Sequence, residues 1–157
     1  SLIRAYQMVG YTPDRDYRFL EINRFLRRTH PEIVEQIEKQ IASLGGSVVR
    51  DPATDLLWVN REFSVSVVLA RCQTTPCGHN RWKIRLDSSL SPDISVAARL
   101  DTSNQAQLDY YLLPRIDFGP SRISLAEQNP VEFESYRFES LDYLYGMAAR
   151  ARLRVAA

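Results

Sequence analysis

The order of apolar patterns predicts an α+β domain: N-terminal helices, a central mixed or mostly antiparallel sheet of five to six strands, and a C-terminal helix. Three observations carry this. Apolar residues recur at helical spacing as far as Leu44, turn to alternation and short apolar runs between Ser47 and Pro114, and return to helical spacing after Phe138. Helices, then a run of strands, then a helix favour segregated α+β packing over a parallel α/β sheet. The 157 residues, 45% apolar and 25% charged, can bury a core without covalent staples. We expect one compact unit, with a helical extension over residues 1–30 and the sheet domain over 31–157.

The elements follow in order. Residues 2–9 read as a short helix ended by Gly10. Thr12-Pro13-Asp14 is a helix start, with Thr as N-cap, Pro at the first helical position and an acid in the first turn. That helix carries Phe19, Ile22, Phe25 and Leu26 as its apolar stripe and is expected to end near Arg28, because a residue before Pro31 disfavours helix. A second helix, Pro31 to Leu44, is marked by Ile33, Val34, Ile37 and Ile41 and closed by Gly45-Gly46. Residues 47–50 and 56–60 flank a turn-rich link, as in a hairpin. Residues 63–71 become uniformly apolar, the pattern of a central strand. Residues 72–80 read as a loop, 81–87, 93–100 and 108–114 as strands, 115–130 as mixed, and Phe138 to Val155 as the final helix. Trp58 and Trp82 are expected inside.

Charge excludes some roles and leaves others. The net charge is +1, so any electrostatic targeting must come from local segregation. The cations are 18 Arg and 2 Lys, an arginine-rich set. No run approaches the roughly 20 apolar residues of a membrane span, and the start Ser1-Leu-Ile-Arg lacks a signal-peptide core, so no membrane partner and a cytoplasmic location are expected. A chain beginning without Met reads as a fragment or processed form.

The stretch from Arg71 to Arg85 holds four basic residues and no acid. Strand alternation puts Arg81, Lys83 and Arg85 on one face and Trp82, Ile84 and Leu86 on the other. Extended by Arg71 and Arg99, that face would hold nucleic-acid phosphates. Arg24, Arg27 and Arg28 at the expected helix junction, followed by a hairpin, would fit a winged helix-turn-helix. Arg150, Arg152 and Arg154 add a third basic cluster. The rival reading is a protein-interaction module, with the basic face on an acidic protein or on the acidic segment Glu127–Asp142 of a second copy in a homo-oligomer. That segment has five acids against Arg137.

Metal chemistry has two candidates. Cys72, Cys77 and His79 share a loop, but a structural zinc site needs four ligands, and this spacing disfavours zinc. The order helix, strand, strand, strand from Pro31 to Arg71 resembles the core of restriction-endonuclease-like, PD-(D/E)xK nucleases. The resemblance implies a metal-dependent phosphodiesterase using Mg2+ or Mn2+, with Asp55 as metal-binding acid and Glu35 as a helix acid. Pro92-Asp93 spells the family's opening dipeptide, making Asp93 a further catalytic candidate. The chain departs from the pattern at the third strand, which has no acid and only Arg71 near the lysine position, and no lysine follows Lys83. Asp87, Asp93, Asp101 and Asp109 all fall near expected strand ends, where turns also use Asp.

Overall fold

The computed structural model describes residues 14–86 and 90–151, with side chains from Phe19 onward. Two stacked sheets and one long helix make up the domain. The helix α1, Asp14–Ser43, lies on one face of a six-stranded sheet. That sheet has the order β1(Val48–Arg50), β2(Leu57–Val59), β3(Phe63–Ala70), β6(Ile94–Leu100), β7(Gln107–Pro114), β9(Arg137–Phe138). It is mixed: β3 and β6 run parallel, and every other neighbouring pair is antiparallel. The chain between β3 and β6 builds a separate three-stranded sheet from β4(Cys72–Thr74) and β5(Asn80–Arg85), joined later by β8(Arg122–Leu125). Short helices α2(Arg115–Phe118), α3(Val131–Glu134) and α4(Asp142–Ala148) complete the chain.

Each sheet face has its own core. Leu57, Val59, Val65, Val67, Val96, Ala98 and Leu112 point towards α1 and meet Ile33, Val34, Ile37 and Ile41. The opposite face gives Val68, Ala97, Tyr111 and Leu113 to the second sheet, which answers with Cys72, Trp82, Ile84, Ile123 and Leu125. Alternation along each strand makes this two-sided packing possible.

Several expectations change. The helix does not break at Thr29-His30-Pro31 but runs through Pro31. A proline inside a helix costs about 3 kcal/mol. Here that loss is offset by the buried side chains that follow it and by the His30 ring, whose Nε2 lies 2.8 Å from the Val67 carbonyl oxygen. With no helix junction, the winged helix-turn-helix reading falls away. Residues 72–74, read as loop, form β4. The strand at 80–85 joins the second sheet, not the main one. The final helix is short, because Arg137 and Phe138 extend the main sheet instead. The expected helix over 2–9, Asp87, Arg152 and Arg154 lie outside the described residues.

Two buried polar groups have consequences for stability. Asn104, at φ 57°, accepts the Cys72 N–H at 2.7 Å and donates to the Cys72 carbonyl at 2.9 Å, pinning the start of the second sheet. Asn104→Ala should cost about 1–3 kcal/mol in urea unfolding, since it strands both backbone groups in the interior. Tyr145 is buried, and its hydroxyl has no hydrogen-bond partner among the described residues. Burial pushes its pKa up to about 12. A raised value means the folded state favours the neutral phenol, so stability is full below the ordinary tyrosine value and falls as pH rises towards 12. Tyr145→Phe should therefore stabilise the domain by about 1 kcal/mol and flatten that alkaline loss in pH-dependent denaturation.

Candidate nucleic-acid interface

The outward face of the three-stranded sheet is built by register. In an antiparallel pair, directly opposite residues share a face. Trp82 and Ile84 of β5 point inward, leaving Arg81, Lys83 and Arg85 outward as alternation requires. Gln73 of β4 stands opposite Arg81. Ser124 and Arg122 of β8 stand opposite Lys83 and Arg85. The face thus carries Arg81, Lys83, Arg85 and Arg122 with Gln73 and Ser124 between them, and the three strands contain no Asp or Glu. Lys83, Arg85, Arg122, Gln73 and Ser124 are exposed, and Arg81 is half-buried with its guanidinium donating to the Asn80 carbonyl. At one end of the face Glu127 accepts from the Asn80 amide.

Arg122 was missed by sequence reasoning. The signal was present in Arg122-Ile-Ser-Leu125, whose alternation points Ile123 and Leu125 inward.

The remaining cations fall elsewhere. Arg71 is half-buried in the one-residue link between β3 and β4. Arg99 is only 5% exposed, so it is no part of a water-facing surface. It pairs with Asp109, itself buried, through bonds of 2.8 and 2.6 Å, and donates to the Ala126 carbonyl. Its guanidinium lies 4.7 Å from the Trp82 ring centre and 5.4 Å from that of Tyr111. Burial works against the Arg99 charge, but the Asp109 carboxylate outweighs it and the pKa is raised. Arg150 pairs with Glu62. In the acidic segment, Arg137 binds Glu134 and Glu139 and reaches Asp109 at 3.4 Å. A polar cleft of about 470 Å3 opens beside these groups, and its arginines and acids are largely paired with one another.

The acids of the nuclease resemblance do not converge. Glu35 is exposed on α1 and pairs with Lys39 at 2.9 Å, which lowers its pKa. Asp55 bonds Arg50 at 2.8 Å, and the same guanidinium reaches Glu38, one helical turn beyond Glu35, at 3.3 Å. The acid facing Asp55 from the helix is therefore Glu38, with an arginine between the two. Asp93 heads β6, where its Oδ2 accepts from the Ser64 N–H and lies 3.2 Å from the Ser64 hydroxyl. That places it at the opposite end of the sheet from the turn holding Asp55. Asp101 accepts from Ser103, Gln105 and Ala106 within its own turn. Nor does the thiol loop gather: Cys72 is buried beside Trp82, while Cys77 and His79 are exposed in the β4–β5 turn. Burial pushes the Cys72 thiol up. Among the described residues, no three His, Cys, Asp or Glu side chains are placed to hold a metal ion. Among them also, no helix is long and apolar enough to cross a membrane.

No family model matches the chain. No curated protein matches it either. Among solved structures it is similar to a bacterial homing endonuclease, I-Ssp6803I, at 18% identity and a TM-score of 0.43, covering 77% of this chain and 92% of that one.

Proposed function

We propose that this domain binds DNA, holding the phosphates on the outward face of the three-stranded sheet. The observation that carries the reading is the register, which sets Arg81, Lys83, Arg85 and Arg122 on one face. Successive outward residues of a strand are about 6.6–6.8 Å apart and cross-strand neighbours about 5 Å apart, so the four form a patch of phosphate-sized spacings. Gln73 and Ser124 add uncharged hydrogen-bonding groups of the kind that also contact phosphate and sugar. Contacts of this type give affinity with little sequence preference.

Fluorescence anisotropy with a labelled 20-mer at low salt tests the reading. Binding is expected, and Arg81→Ala with Lys83→Ala should weaken it. Absence of binding to duplex and single-stranded DNA alike, or equal binding by the double variant, would overturn it.

A further inference from the structure

We propose that the uncovered part of the six-stranded sheet, centred on Trp58, stacks an unpaired base of a single DNA strand whose phosphates lie along the basic face. This rests on the DNA reading above and adds the class of nucleic acid. Trp58 is 47% exposed, although the sequence placed it inside, and Val49, directly opposite on β1, is 63% exposed. The side of the sheet follows from its neighbours. Leu57 and Val59 are buried towards α1, so Trp58 points the other way, to the side on which the three-stranded sheet packs. Among the described residues, that second sheet packs on β3, β6 and β7 and not on β1 and β2. Trp58 and the outward cations therefore open on the same side of the molecule.

The strand register measures the way from the indole towards the second sheet. Ser64 lies across from Trp58 on β3 and is buried, as is Ser95 on β6, while Ser66, the next residue of that face, is half-buried. Ser66 pairs with Ser95 of β6, and Ser95 lines a small cleft with Leu86, at the end of the cationic strand, and with Arg115. Arg115 is exposed just beyond the end of β7 and donates to the Ser91 carbonyl. From Trp58 to Ser95 is two strand spacings and about two residue rises, roughly 12 Å. The outward cations stand on the second sheet, about 10 Å above this face, so a strand tracked by them can drop a base onto the indole. Aromatic side chains beside a cationic track are the usual platform for single strands, because every base has a stacking face. A continuous duplex keeps its bases inside and would use the cations alone.

The chain has two tryptophans, and Trp82 is 1% exposed, so quenching on DNA addition reports on Trp58. Titration with a 15-residue oligothymidine should quench the emission. Trp58→Ala should weaken oligothymidine binding about tenfold and leave a blunt duplex of equal length within twofold. Trp58→Phe should keep most of the affinity, and circular dichroism should be unchanged in both variants. The proposal is overturned if Trp58→Ala binds oligothymidine like the parent, or loses duplex and single strand equally. It is overturned too if the substitution abolishes a concentration-dependent dimer and leaves DNA binding unchanged, which would give this face to a second copy. Failure of the underlying DNA reading looks different: neither nucleic acid then binds, whatever stands at position 58.

Discussion

Arg99→Ala should destabilise the domain by about 3 kcal/mol, because it strips the buried Asp109 carboxylate of its two short bonds and leaves it only the 3.4 Å contact with Arg137. For a chain of this length that is a fall in Tm on the order of 10 °C, readable by calorimetry. Arg99 sits on β6, Asp109 stands opposite on β7, the Trp82 ring comes from β5, and the Ala126 carbonyl follows β8. The guanidinium therefore ties the second sheet to the first, and its loss should loosen the platform that carries the basic face. The cost belongs to the poorly compensated buried charge more than to the bond itself. A double replacement, Arg99→Met with Asp109→Leu, should recover most of the stability, since well-packed apolar pairs often match buried ion pairs. Similar losses from the single and the double variant would contradict this assignment.

The second large effect concerns binding. Each phosphate neutralised releases counterions, and log K falls with log salt by about 0.9 per contact on duplex and 0.7 on a single strand. Four outward cations give slopes of roughly −3.6 and −2.8. Arg81→Ala with Lys83→Ala removes two contacts and should halve either slope, with little change in folding, since Lys83 is exposed and Arg81 donates to the adjacent Asn80 carbonyl. A variant with weaker binding but an unchanged slope would mean that these groups act through structure and not through phosphate.

What the sequence disclosed depended on the range of the interaction. Local alternation was enough to divide Arg81, Lys83 and Arg85 from Trp82 and Ile84, and helical spacing was enough to find Ile33, Val34, Ile37 and Ile41. Partnership between distant strands was not legible. Arg99 lies in the run Ile-Ser-Val-Ala-Ala-Arg-Leu, whose neighbours are nearly all buried, and a charge there needs an acid across the sheet. Asp109 is that acid, but only the β6–β7 register brings the two together. Trp58 looked like a core residue because β2 is apolar on both sides; its exposure follows from where the second sheet ends. At Pro31 the local rule was sound, and tertiary packing of α1 on the sheet overrode it. For the catalytic candidates, the expected helix and three strands are present while the side chains do not gather. Asp55 faces Arg50 and Glu38, and Asp93 holds Ser64.

The salt dependence of DNA binding by the parent and the Arg81→Ala, Lys83→Ala variant, between 50 and 200 mM, tests the central claim most directly. A slope near −3 to −4 that falls by about two in the variant is the expected result. A flat slope in the parent, or one that the two substitutions leave untouched, would contradict a phosphate-binding face on this sheet.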